Sequence, residues 1–561
     1  MLTLSFIIAF LILPFAYFIR KKSLFILLNI ISFFIALSFF IFDLKIYQLH
    51  HFHVNWVLIT VMSDIATLNP SIMEIFIVFL FLLSLFLFEC VLAVITLKQR
   101  RNISFNVCRN AALFASLGLL FCYGTLIVSM SNGNNIYAMQ TTFYPLYHQL
   151  FSTLNFSKKN KDNLFYFTNR RFKDTHTTAA KFNYPRSPLT CKQGTIPPYN
   201  VIFILIDTLR FDALTANQMP NLYQRKHQFT QFTDHWSGGN STKPGVFSLF
   251  YGIPATYWQA SIDAKTAPLI NTKFKEAGYD LNLSMSAQFN NPALIKNAFL
   301  NYTNIFTATT LDYSKPGTRR DIQATNNALL TLNKKQTKPF FLNLYLDSVH
   351  SYCDLGTVEN YFKPVIKRCN RIFGRAHSER TPYYNQYRNT VRFVDKQIEN
   401  VLSSLDKNKL WDNSIVIITS DHGEEFDDNK QGYWGHTSNY TQFQLKVPLL
   451  IHWPNKEIEH INYRTTHYDV SPTLLEDALA CEKQSETYSS GKNLFDASNR
   501  KNYLLASSYT NSAIVTPQQT TLFTAGSTLQ TQTPKGKNIP KLTIDKEILK
   551  QAWHEMNRFY D

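Results

Sequence analysis

The stretch YNVIFILIDTLRFDAL, residues 199–214, decides the fold. Val201 to Ile206 run without a polar interruption and stop at Asp207. A half-exposed strand alternates apolar and polar residues, whereas a run apolar on both faces fits a strand buried inside a parallel sheet. The pattern recurs in KPFFLNLYLDSVH (338–350), which ends at Asp347 and His350, and in NSIVIITSDHG (413–423), which ends at Asp421 and His422. Between such runs, TAPLINTKFKEAGYDLNLSMSA (266–287) reads as a helix, Gly278 and a strand. TPYYNQYRNTVRFVDKQIENVLSSLDKN (381–408) reads as an amphipathic helix with Val391, Val394, Ile398, Val401 and Leu405 on one stripe. Strands alternating with helices predict an α/β doubly wound, mostly parallel sheet.

In such sheets the site lies beyond the carboxyl ends of the strands. Asp207, His350, Asp421 and His422 all sit at such ends, and His436 follows a short loop, Gly432-Tyr433-Trp434-Gly435. One aspartate after a strand is commonly a helix cap. Two carboxylates and a histidine converging from different strand tips suit a divalent cation by ligand type: zinc, manganese or magnesium, with calcium as an alternative.

The first 130 residues are of another kind. Residues 1–19, 24–42, about 73–97 and about 107–130 are apolar runs, each long enough to cross a hydrocarbon core of roughly 30 Å. No charge precedes the first run and Arg20-Lys21-Lys22 follows it, so it reads as a span and not as a signal peptide. Arg20 to Lys22 and Lys98, Arg100 and Arg101 mark two cytoplasmic loops by the positive-inside rule. The segment 43–72 and everything after about 131 then lie outside. The expected organisation is a four-span membrane domain (1–130), a juxtamembrane connector (131–198) and an external domain (199–561).

The chain carries a net charge of +17. A basic domain at a membrane surface suits acidic lipid head groups. Lys158, Lys159, Lys161, Arg170, Arg171 and Lys173 in the connector are candidate contacts to phospholipid or lipopolysaccharide phosphates, against the plainer reading of a solvated linker. No aromatic-basic nucleic-acid motif is present. Of seven cysteines, Cys90, Cys108 and Cys122 fall in spans. Cys353 and Cys369 are a close pair that an oxidising compartment permits to bridge. Cys191 and Cys481 have no evident partners in the sequence, and no C-x-x-C metal pattern occurs.

The strand-tip residues resemble a family. Asp207-Thr208-Leu209-Arg210-Phe211-Asp212 with Met219-Pro220-Asn221-Leu222 is similar to the opening motif of the sulfatases, in the alkaline phosphatase superfamily. Ser420-Asp421-His422-Gly423-Glu424, Gly435-His436, Val447-Pro448-Leu449 and His467-Tyr468-Asp469-Val470-Ser471-Pro472 follow in the family's order. The resemblance covers about 200 to 480. FHVNW (52–56), MQTTFYPL (139–146) and SGGNSTKPGVFSLFYGIPATYW (237–258) resemble the YejM (PbgA) family of Gram-negative inner-membrane proteins. That resemblance implies an N-terminal membrane domain, a periplasmic sulfatase-like domain and a part in lipopolysaccharide and outer-membrane lipid balance. It also implies membrane-protein regulators of lipopolysaccharide synthesis as partners. The family has five spans where four are read here, which leaves a start further upstream or an N-terminus in the periplasm. Some members have lost the metal motif, and this chain keeps it.

The resemblance places the nucleophile in SGGNSTKPGVF (237–247). Sulfatases make formylglycine from Cys or Ser in C/S-x-P-x-R. Thr242-Lys243-Pro244-Gly245-Val246 has Thr in that slot and Val in place of Arg, so sulfate-ester hydrolysis by that route is not expected. Phosphoethanolamine and glycerophosphate transferases of the superfamily use Thr here. The implied assignment is Asp207, Thr242, Asp421 and His422 on the metal, with Thr242 as nucleophile and Ser241 as its neighbouring alternative. His350 and His436 then stabilise phosphoryl oxygens, protonate the leaving group or hold a second metal. Two function classes stay open: a metal-dependent phosphotransferase or phosphatase on lipid-linked phosphate, and a lipid-responsive regulator with a vestigial site.

Overall fold

The computed structural model describes residues 22–50, 72–98 and 181–560, apart from 193, 195–196, 288–293, 307–314, 355, 368, 370–378, 510, 525–527 and 540–544. The expected spans 1–19 and 107–130, and Lys158, Lys159, Arg170 and Arg171, lie outside the described residues. Among the described residues the first unit has the helices α1 (Lys22–His50) and α2 (Ile72–Lys98), which contain the expected runs 24–42 and 73–97. The Phe34 and Phe86 rings meet edge-on at 5.6 Å. Among the described residues one stretch, Phe76–Ile95, with mean hydropathy 2.8, is long and apolar enough to cross a membrane.

The described part of the second unit begins at Lys181. Its elements in chain order are β1 (Asn200–Ile206), β2 (Thr230–Phe232), α3 (Thr242–Tyr251), α4 (Leu269–Glu276), β3 (Asp280–Met285), β4 (Asn304–Phe306), α5 (Gly317–Asn333) and β5 (Phe340–Leu346). There follow α6 (Arg380–Lys407), β6 (Ser414–Ser420), β7 (Leu449–His452), β8 (His460–Ile461) and α7 (Val470–Leu479). The chain ends with β9 (Leu504–Ser507), β10 (Ser512–Val515), β11 (Thr520–Thr524), β12 (Thr528–Gln532), β13 (Asn538–Ile539) and α8 (Lys546–Glu555).

Eight strands form the central sheet in the order β8-β2-β7-β6-β1-β5-β3-β4. From β6 to β4 all neighbours are parallel, and β7 is antiparallel to both β6 and β2. Successive side chains of a strand point to opposite faces, and β1 splits accordingly. Val201, Phe203 and Leu205 join one apolar cluster with Val246 and Phe247 of α3, Phe274 of α4 and Leu475 of α7. Ile202, Ile204 and Ile206 join a second cluster with Ala324 and Ala328 of α5 and with Val391, Val394, Ile398, Val401 and Leu405 of α6. The uninterrupted apolar run therefore reflects burial on both faces.

Phe182, Tyr184 and Leu189, inside the stretch expected as a connector, are buried in the first of these clusters. Cys191, for which the sequence offered no partner, is bonded to Cys481 across 290 residues, and Cys353 is bonded to Cys369. After residue 500 a five-stranded sheet, β9 to β13, lays Tyr503, Leu505, Ile514 and Phe523 against Ala552 and Met556 at the C-terminal end. No periodic signal in the sequence had marked that sheet.

A crosslink closing so long a loop restricts the unfolded chain, typically contributing on the order of 2–5 kcal/mol. Cys481→Ser is therefore expected to lower the urea midpoint of the detergent-solubilised chain. An unchanged midpoint would show that this bridge is not a significant constraint.

Candidate metal centre

Register builds the site. Ile206 pairs with Leu346 of β5 on one side and with Ser420 of β6 on the other. The next residue of each strand is an aspartate, so Asp347, Asp207 and Asp421 stand in a row at the sheet's carboxyl edge. All three are nearly or fully buried. Thr208, just past Asp207, has φ of +64°, a conformation that costs a β-branched residue energy. It is held there on both sides: its N–H donates to Asp421 Oδ1 (3.2 Å) and its carbonyl accepts from the Tyr387 hydroxyl (2.9 Å).

The β1 and β6 loops are locked by Arg210, which is 1% exposed. Its guanidinium pairs with Asp212 (2.7 Å) and Asp428 (2.9 Å), donates to the Glu424 carbonyl (3.1 Å) and lies 4.7 Å from the Phe443 ring centre. α3 delivers Thr242 as its first residue, with Ser241 as the N-cap. Gly245 lets the helix approach the strand tip: a Cβ there would lie 2.3 Å from the Asp421 carbonyl oxygen.

The structure brings Thr242, Asp207, Asp421 and His422 together. Thr242 Oγ1 is 3.5 Å from Asp207 Oδ2 and 3.4 Å from His422 Nε2. His422 Nε2 is in turn 3.5 Å from Asp207 Oδ1 and from Asp421 Oδ2. Burial, with His436 nearby, holds the His422 pKa well below its usual range, so the ring is neutral. Its Nδ1 is 2.9 Å from the Gly423 carbonyl. That contact places the proton on Nδ1 and leaves the Nε2 lone pair facing two carboxylates.

Burial first, then the neighbouring carboxylates, push Asp207 well above the usual carboxylate range, and burial raises Asp421 to about 7. Asp207 Oδ1 has no hydrogen-bond partner. Lone pairs converging at about 3.4 Å match the edge of a tetrahedron of donors about 2.1 Å from a zinc-like ion. The donor set fits a divalent cation.

His436 and His350 stand beside this set. The His436 ring lies 4.6 Å from His422 and 5.3 Å from His350, and its Nδ1 is 2.7 Å from Glu424 Oε2. Asp207, Asp347 and His350 form a second possible ligand group. Arg320 already neutralises it, with Nη2 2.6 Å from Asp347 Oδ2. Sequence reasoning missed Arg320, which comes from α5. It also missed Tyr345, whose hydroxyl lies between the two carboxylates, and Tyr509 in the loop between β9 and β10, whose phenol is pushed up by burial and by Asp207 and Asp421. A tyrosine inside an apolar strand was the one available signal, and only for Tyr345.

Two outcomes follow from these charges. Asp421→Asn is expected to remove the cation, read by elemental analysis of both proteins; equal occupancy would dismiss Asp421 as a ligand. Glu425, next to the site, is raised by burial from 4.5 to about 7 while accepting bonds from Asn439, Thr441 and Gln444. A carboxyl raised on folding binds more protons folded than unfolded, so its contribution declines as pH rises from about 4.5 to about 7. In urea titrations Glu425→Gln should reduce the stability loss over that window, and an identical pH profile would refute this.

The sulfatase family model matches residues 199–478, and a domain of unknown function, DUF3413, matches residues 1–191. The inner membrane protein YejM of Salmonella typhimurium is 29% identical over 382 residues, covering 68% of this chain and 58% of that protein. An uncharacterized protein of Haemophilus influenzae is 25% identical over 358 residues, covering 63% of this chain and 53% of its own length. The chain thus spans 58% of the length of its Salmonella relative. A solved structure of an alkaline phosphatase superfamily protein from Vibrio parahaemolyticus is 17% identical, with a TM-score of 0.48, covering 72% of this chain and 98% of the other. The chain is thus similar to the YejM inner membrane proteins, and its residues 199–478 match the sulfatase family model.

Proposed function

We propose that this chain is a multi-pass inner-membrane protein whose periplasmic domain processes phosphate esters of lipids at a single-cation site. It serves lipopolysaccharide and outer-membrane lipid homeostasis in this reading. The observation that carries the chemistry is Thr242 at the first turn of α3, its hydroxyl 3.4 Å from His422 Nε2 and 3.5 Å from Asp207 Oδ2. A bound divalent cation would lower the hydroxyl's pKa and neutralise charge on the substrate. Asp207, Asp421 and His422 would hold it.

The chain's own residues do the rest. Thr242 Oγ1 gives up its proton to solvent and forms the bond to phosphorus as the bond from phosphorus to the ester oxygen breaks, giving a phosphothreonine that water or a second acceptor resolves. The N-terminal end of α3 favours the negative charge that builds on the phosphoryl oxygens. His436, anchored through Nδ1 to Glu424, offers Nε2 as proton donor to the leaving oxygen. His350, about one-third exposed, faces the same space. The two disulfides suit an oxidising compartment such as the periplasm.

A second reading is a regulator that binds lipopolysaccharide or phospholipid, together with membrane-protein partners, and does no chemistry. The match to YejM relatives favours it. Thr242→Ala separates the two. Turnover of a generic phosphomonoester or phosphodiester should fall by orders of magnitude while the cation stays bound, because three ligands remain. Unchanged turnover would remove Thr242 as nucleophile. Lost turnover with full rescue of a strain lacking the native gene would place the function in binding.

A further inference from the structure

The row of side chains beneath the carboxylates carries one more assignment. Tyr345 is the penultimate residue of β5 and stands in register with Leu205 of β1, which pairs with Thr419 of β6. Residues two apart on a strand share a face and are separated by about 6.6 Å. Asp207 and Asp421 are each two residues beyond that row, so a tyrosine at 345 is long enough to reach under both. Its hydroxyl oxygen is 2.9 Å from Asp207 Oδ2 and 3.0 Å from Asp421 Oδ2, and the side chain is fully buried.

The remaining oxygens are disposed differently. Asp421 Oδ1 accepts the N–H groups of Thr208 and His422, whereas Asp207 Oδ1 has no partner. A phenol has one proton, and here it faces an oxygen from each of two carboxylates that would otherwise repel. The bridge fixes both carboxyl groups about their side-chain torsions. It turns Asp207 Oδ1 and Asp421 Oδ2 towards His422 Nε2, at 3.5 Å each.

We propose that Tyr345 is a positioning residue of the cation site: its hydroxyl clamps Asp207 and Asp421 into a convergent pair before the cation arrives. This rests on the cation-site reading above. Ligand orientation by an outer hydrogen-bond partner typically changes metal affinity 10–100-fold. Tyr345 also packs in the apolar core, and phenylalanine keeps that packing while deleting only the hydroxyl.

The test uses the full chain in detergent, stripped with chelator and titrated calorimetrically with Zn2+ and, separately, Mn2+. The wild type, Tyr345→Phe and Tyr488→Phe are compared. Tyr488 is a fully buried tyrosine outside the site. The expected result is a 10–100-fold weaker affinity for Tyr345→Phe and wild-type affinity for Tyr488→Phe. Cation addition should also give a tyrosine ultraviolet difference band in the wild type that Tyr345→Phe lacks. Equal affinities overturn the assignment and leave the cation site standing. A wild type that binds cation with no tyrosine band also overturns it, without needing the variant to fold. A wild type that binds neither ion overturns both readings.

Discussion

Two carboxylates forced side by side out of water are the constraint on which the site depends. The parallel pairing of β1 with β6 puts Ile206 opposite Ser420, and the residue after each is an aspartate. Both are buried, and burial raises both pKa values. Like charges in a low-dielectric setting repel strongly, so the arrangement requires positive charge or donated protons. The surroundings supply donors in the Thr208 and His422 N–H groups and the Tyr345 hydroxyl, while the neutral His422 ring turns its Nε2 lone pair to the same space. What they leave open, at Asp207 Oδ1 and His422 Nε2, has the shape and chemistry of a cation site.

Neighbouring charges are settled without a second ion. Arg320 reaches Asp347, and Arg210 reaches Asp212 and Asp428 while covering the Glu424 carbonyl. The Arg210 network ties the loop after β1 to the loop after β6. It holds Glu424 where it meets His436. An arginine suits this place because its planar fork satisfies several acceptors at once and stays charged when buried. The reading of one cation with a threonine hydroxyl beside it, rather than two cations, rests on Arg320 as much as on the ligands.

Much of the site was legible in the sequence because its residues are bound to local pattern. A continuous apolar run announces a doubly buried strand, and polar residues at the ends of such runs must lie at the sheet's carboxyl edge. Asp207, Asp421 and His422 were readable on that ground, as was the buried stripe of α6 from Val391 to Leu405. Thr242 was found through motif resemblance and not through periodicity. The short strands β9 to β13 are mostly Thr, Ser, Ala and Gln, a composition that leaves no strong alternation to read.

The sequence by itself determined the chain's two kinds of segment, the parallel sheet and which strand tips carry acid and imidazole groups. These follow from hydrophobic burial and side-chain alternation, which act over a few residues. Only the tertiary structure decided that Tyr345 bridges Asp207 and Asp421, that Arg320 neutralises Asp347, and that Cys191 meets Cys481 across 290 residues. Each joins residues far apart in the chain, and their meeting is set by strand order and register. Those depend on how all the strands pack together, which no short stretch encodes.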